Sequence, residues 1–170
     1  MAELRTIHYL WRPARAYRAG RTRPVQSIIL HSTDGREAGD VATLTGPRVS
    51  VHWYVTRVGR VYHFVRNDDT AYHAGKVTAD RYSNSASLGI EQEHFDGRED
   101  WPREQVEEVS RICAYLIKNY GLSRDAIFSH AQVASPKGRK QDPVDYPWET
   151  FFNFLDQKLR YEWRTEQIPE

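Results

Sequence analysis

Apolar positions in this chain fall into short β-rich runs and a few helical stripes, separated by polar stretches that hold most of the glycine and proline. The run V-Q-S-I-I-L-H (25–31) has the length and β-branched content of a buried strand. After T-D-G, Val41 and Leu44 share one face of a short helix. Residues Val51 to Arg57 and Arg60 to Arg66 are β-branched and aromatic, and the Val58-Gly59 step between them reads as a hairpin. Leu88 to His94 is a further strand, entered from the Ser/Asn-rich loop 83–87. A helix begins at Asp100-Trp101-Pro102, with proline near its first turn. Val106, Val109, Ile112, Cys113, Leu116 and Ile117 then lie on one face, and Gly121 ends it. Ala126 to Phe128 is a short strand leading into His130. A polar loop over 131–146 follows, then a last helix whose apolar face is Trp148, Phe151, Phe152, Leu155 and Leu159. This order predicts an α/β fold with a central, mainly mixed β-sheet flanked by helices.

A chain of 170 residues is one ordinary domain, large enough to fold without a disulfide or a structural metal. Its one cysteine, Cys113, excludes an internal disulfide and sits at core spacing on the long helix. The net charge of +1 argues against a nucleic-acid binder. That average conceals a basic start: Arg5, Arg12, Arg15, Arg18, Arg21 and Arg23 stand against the single acid Glu3. The division expected is a basic N-terminal arm over 1–24, a folded domain over 25–163 and a polar tail over 164–170. Arg12, Arg15, Arg18 and Arg21 recur every three residues, so on a helix they would form a slowly turning stripe able to attract an anionic surface. The other reading is an arm that packs on the domain. The opening M-A-E-L-R-T-I-H-Y-L-W-R has no apolar core of signal-peptide length, so synthesis in the cytoplasm without a leader is expected.

His31 and His130 each close an apolar strand, and Asp142 lies in the loop after the second. Strand ends are where crevices open in α/β proteins, and two imidazoles with one carboxylate leave zinc the open position that catalysis needs. Spacing alone does not decide this, since no short paired-histidine motif is present and histidines at strand ends are often only hydrogen-bonded.

A series of blocks narrows the choice. L-H-S-T-D (30–34), V-S-V-H-W-Y-V (49–55), V-Y-H-F-V (61–65), A-Y-H-A-G (71–75), N-S-A-S-L-G-I-E (84–91) and S-H-A-Q-V-A-S-P-K-G-R-K-Q-D-P (129–143) resemble, in order, the blocks of the zinc amidase family. That family includes bacterial muropeptide-recycling amidases, phage amidase lysozymes and peptidoglycan recognition proteins. The resemblance covers about residues 25–155. It implies the amidase/peptidoglycan-recognition fold and hydrolysis of the amide between the lactyl group of N-acetylmuramic acid and L-alanine. It also implies zinc held by His31, His130 and Asp142 in the aspartate-using branch, with Asp145 as fallback third ligand because the loop before it is about two residues longer than in recycling-type members. By the same match, Glu91 is the acid/base glutamate, with Glu93 on the same strand face as the alternative, and Lys140 is the lysine beside the metal loop. His73 corresponds to a substrate-pocket histidine, and Asn84 to a structural or substrate-contacting asparagine. Tyr72 and Trp53 are aromatics able to meet a sugar ring, while His52 reads as structural. Gln132 replaces a family aspartate, and Val51 stands where the cysteine-ligand branch has a catalytic tyrosine.

The substrate implied is peptidoglycan or a muropeptide. A phage-type endolysin released onto the wall, its arm drawn to an anionic envelope, is the first expectation. A cytosolic amidase that recycles soluble muropeptides is the second, and a non-catalytic recognition module the third.

Overall fold

The computed structural model describes residues 1–170. The strands are β1 (Leu4–Trp11), β2 (Tyr17–Arg18), β3 (Ser27–Leu30), β4 (Trp53–Val55), β5 (Val61–His63), β6 (Thr70–Ala71), β7 (Ser87–Gln92), β8 (Ile127–Ser129) and β9 (Glu162–Gln167). The helices are α1 (Glu37–Leu44), α2 (Arg103–Tyr120), α3 (His130–Val133) and α4 (Trp148–Lys158). Seven strands join in the order β8-β3-β7-β4-β5-β1-β9, and β2 pairs with β6 outside that sheet. Only the β4–β5 hairpin is antiparallel within the large sheet; its other neighbours run parallel. The sheet is therefore mixed, as the sequence pattern implies.

Alternation along the strands divides two environments. Ile28 and Leu30 of β3, Trp53 and Val55 of β4, and Leu88 and Ile90 of β7 pack into one core with α2 and α4. The stripe Val106, Val109, Ile112, Cys113, Leu116 and Ile117 supplies the α2 half of that core, and all six are buried. Burial of each of the larger ones contributes on the order of 1.5–3 kcal/mol. Pro102 stands at the helix entrance. Gly121, at φ 60°, turns into the left-handed region, and its N–H closes the last turn on the Ile117 carbonyl. Gln105 is buried on α2, and its side-chain N–H group reaches the Val55 and Glu93 carbonyls, pinning helix to strand ends. Ile29, Gly89 and Glu91 point the other way, to the face that carries the site.

The first two dozen residues do not form a helical arm. Leu4–Trp11 is a strand paired in parallel with both β5 and β9, and Ile7 is buried in the core. Residues 164–167, expected as tail, belong to β9. The arginines consequently diverge instead of forming a stripe. Arg12 pairs with Glu170 and Arg23 with Asp80. Arg21 turns inward and donates to the carbonyls of Asn67, Ser85 and Ser87. Arg15 donates to the Thr45 carbonyl. The physical reason is that strand pairing satisfies the backbone of residues 4–11, whereas a short isolated helix with Pro13 inside it gains no such partners.

Candidate active site

The site stands where three adjacent parallel strands end. His31 follows β3, and its N–H continues the ladder by donating to the Ile90 carbonyl. The Gln92 side chain donates to the His31 carbonyl. His130 is the first residue of α3. Ser129 caps that helix by accepting the Gln132 N–H at 3.1 Å, while the Gln132 side-chain oxygen accepts the Ser129 N–H at 2.7 Å. The glutamine that departs from the family pattern thus builds the turn that presents His130. Asp142 is returned to the same point by a hydrogen bond from the Ala131 N–H to its carbonyl. Arg139 steadies the intervening loop on the carbonyls of Ala74, Lys76 and Ser135.

His31, His130 and Asp142 converge as one group of ligand-type atoms. The two Nδ1 atoms are 3.1 Å apart, and the Asp142 carboxylate is 3.3 Å from His31 and 3.2 Å from His130. Three ligand atoms on a tetrahedron around zinc, each about 2.0–2.2 Å from the ion, would be separated by roughly 3.3–3.5 Å. The donor chemistry fits as well. His130 Nε2 lies 2.9 Å from the Ala74 carbonyl, which can only accept, so in the neutral ring Nδ1 is bare and faces the cluster. Burial lowers the His31 pKa, favouring the neutral ring that binds metal. Burial acts to raise the Asp142 pKa, but the His130 and His31 rings beside it, when they carry a proton toward it, outweigh burial and hold the carboxyl below its usual range. Asp145 is exposed and lines a separate depression with Gly97 to Trp101, so the structure brings together Asp142 and not the fallback.

The cluster forms the floor of a cleft of about 470 Å³ that is also lined by Glu91, Lys140, His73 and Tyr72. Glu91 Oε2 is buried there without a hydrogen-bond partner. Burial, then the charges of Asp142, Asp40 and Asp96, push its pKa well above the ordinary carboxylate value, while Lys140 acts to lower it. Glu93 is spent elsewhere: its carboxylate accepts the N–H groups of Glu37 and Arg57. Trp53 is in the core, stacked on His63 at 3.8 Å, so of the two aromatic candidates only Tyr72 reaches the cleft.

The remaining polar candidates lie behind the wall. Asn84 Oδ1 accepts the N–H groups of both His73 and Ala74. His52 accepts the Gly89 N–H on Nδ1 and donates from Nε2 to the Asp69 carbonyl, a buried ring satisfied at both ends. His94 stacks on Trp101 at 3.6 Å. Ser32 donates to Asp96 at 2.7 Å on the cleft rim, and Ser87 touches His73. Serine, aspartate and glutamine in such roles carry no distinguishing spacing, and sequence reasoning does not single out Ser87, Asp96 or the cap at Gln132.

A mixed sheet with two histidines following adjacent parallel strands and an aspartate brought beside them by a loop, open to a cleft lined by a buried carboxyl, has the make-up of a zinc hydrolase. The N-acetylmuramoyl-L-alanine amidase family model matches residues 21–145, and the chain belongs to that family, whose zinc site the three converging residues match. The chain is 28% identical over 154 residues to the 1,6-anhydro-N-acetylmuramyl-L-alanine amidase AmpD of Haemophilus influenzae, covering 88% of this chain and 80% of the relative. It is 26% identical over 144 residues to the N-acetylmuramoyl-L-alanine amidase AmiD of Escherichia coli, covering 74% of this chain and 51% of that protein. A crystal structure of an AmpD derivative superposes with a TM-score of 0.72 at 21% identity, covering 86% of this chain and 94% of that one, which shows the same fold. The protein is thus a zinc amidase acting on the N-acetylmuramoyl-L-alanine linkage of peptidoglycan. No helix is long and apolar enough to cross a membrane.

Proposed function

We propose that this amidase acts on released, soluble muropeptides, the recycling form of the reaction, in preference to intact wall. The support is the relationship to AmpD, a protein named for a 1,6-anhydro-muramyl substrate and matched along most of both chains. The endolysin expectation rested on a single compact domain, which fits a recycling enzyme equally. An anionic envelope gains little from residues 1–24, because Arg12 and Arg23 are paired and Arg21 is turned inward.

One observation carries the chemistry: an unpartnered carboxyl oxygen of Glu91 in the same cleft as His31, His130 and Asp142. Zinc held by those three residues supplies a Lewis acid for the scissile carbonyl and lowers the pKa of water to about 7. Glu91 takes the proton of the attacking water and delivers it to the leaving nitrogen of L-alanine, the role its raised proton affinity suits. Lys140, exposed at the cleft, places a positive charge toward the oxyanion of the tetrahedral intermediate. Tyr72, exposed at the rim, offers an aromatic face to the sugar or the stem peptide.

Mass spectrometry of products from a soluble anhydro-muropeptide and from purified sacculi, each with and without chelator, tests the reading. Faster release of stem peptide from the soluble fragment is expected, with chelator stopping both. Faster release from sacculi overturns the recycling assignment and restores the lytic one.

A further inference from the structure

The two ligand histidines are supported from behind by consecutive residues. Ala74 offers its carbonyl to His130, and His73 offers its ring to His31, with His31 Nε2 2.9 Å from His73 Nδ1. A carbonyl dictates a tautomer, since it can only accept, whereas an imidazole can either accept or donate. On the His31 side the choice is made further back. Ser87 Oγ donates to the Ser83 carbonyl at 2.8 Å, which uses its one hydrogen. Toward His73 Nε2, 3.2 Å away, it can then only accept. His73 therefore carries its proton on Nε2 and leaves Nδ1 bare. His31 in turn donates from Nε2 and leaves its own Nδ1 bare, facing His130 and Asp142. The direction set by one backbone carbonyl passes through Ser87 and His73 to His31.

The place of the His73 ring is equally determined. A Cβ on Gly89 would come within 2.6 Å of its Cγ and Nδ1, so the ring lies directly on the glycine of β7. Its backbone N–H is held by Asn84.

We infer that His73, backed by Ser87, is a positioning residue that fixes the tautomer and ring orientation of His31, rather than a group whose main task is to hold substrate. This rests on His31 being a zinc ligand. Outer partners of ligand histidines are commonly carboxylates or carbonyls, and their loss weakens metal binding about 10–100-fold. Here a second, neutral imidazole fills the place.

The test is zinc affinity of the metal-free protein, measured by competition with a chromophoric chelator, together with the visible spectrum of the cobalt-substituted protein. His73→Leu should bind zinc about 10–100-fold more weakly and alter the cobalt spectrum. His73→Asn, whose Oδ1 takes the position of Nδ1 and accepts from His31, should recover most of the affinity. Ser87→Ala and Gly89→Ala, which disturb the ring without removing it, should shift affinity in the same direction as His73→Leu, by less. His31→Ala is the control for the site itself: if it binds zinc as tightly as the native chain, the ligand assignment fails. If His31→Ala loses zinc while His73→Leu and Ser87→Ala hold it at native affinity, and His73→Leu only raises KM for a muropeptide, His73 is a substrate residue and the inference is overturned. Should His73→Leu fail to fold, His73→Asn, Ser87→Ala and Gly89→Ala still decide, since weakening by the latter two with near-native binding by the first supports it and any other pattern opposes it.

Discussion

Asn84 Oδ1 accepts the Ala74 N–H at 2.8 Å, and the same oxygen takes the N–H of His73 at 3.1 Å. One side-chain atom therefore anchors the two residues that brace the ligand histidines. Asn84→Ala leaves two partly buried donors without an acceptor, at about 1–3 kcal/mol for each donor. Urea unfolding should show that loss, and Asn84→Asp, which keeps an acceptor, should lose less. Native stability in Asn84→Ala would mean water replaces the oxygen and the loop needs no anchor.

The third ligand is decided by a pair of variants. Asp142→Ala should lose bound zinc under dialysis that leaves the native chain loaded, because its carboxylate stands 3.2 Å from His130 Nδ1. Asp145→Ala should keep it, since Asp145 lines a different depression. Metal analysis of both settles the matter, and the reverse pattern would require the loop to rearrange on binding.

Glu91→Gln should retain fold and zinc but lower turnover of a muropeptide by about 10²–10⁴, the size of a lost general acid/base. Lys140→Ala should lower kcat with little change in zinc content. Near-native turnover of Glu91→Gln would take proton transfer away from the unpartnered oxygen.

Acid should weaken the fold through His63. Burial lowers its pKa to about 4, while the unfolded chain titrates near 6.5. Between those values the unfolded state binds the proton and the folded state does not, so stability falls as pH drops through that window. At about pH 5 this one group has removed about 2 kcal/mol. His63→Gln should be less stable than the native chain at neutral pH, since it loses the stack on Trp53, but the deficit should shrink by about 2 kcal/mol at about pH 5. Urea titrations at several pH values measure it; a deficit that does not vary with pH would show that His63 is not the group responsible.

The interior strands and long helices were legible because burial writes itself into sequence. Ile28, Leu30, Leu88 and Ile90 alternate with residues on the site face, and the α2 stripe repeats at helical spacing. The alternation also placed Glu91 opposite the core, while choosing it over Glu93 needed the family blocks. The outer strands were not legible. In β1 and β9 only Ile7 and Trp163 are buried, so their apolar signal is thin, and an arginine every third residue invited a helical reading of residues 12–21. Asn84 was named only through the family blocks, and Ser87 was hidden for another reason: it acts through hydrogen bonds to a backbone carbonyl and a ring nitrogen that only the folded chain brings near. Periodicity carries no trace of such contacts.

His31 and His130 are 99 positions apart along the chain, yet their Nδ1 atoms stand 3.1 Å apart. Drawing together the ends of a flexible loop of that length costs about 4 kcal/mol in chain entropy, before any constant for closure. An unfolded chain therefore offers an ion no ready-made chelate, and the metal arrives as witness to a finished sheet and not as its seed. Once seated, it acts as a removable staple between the first and last thirds of the molecule.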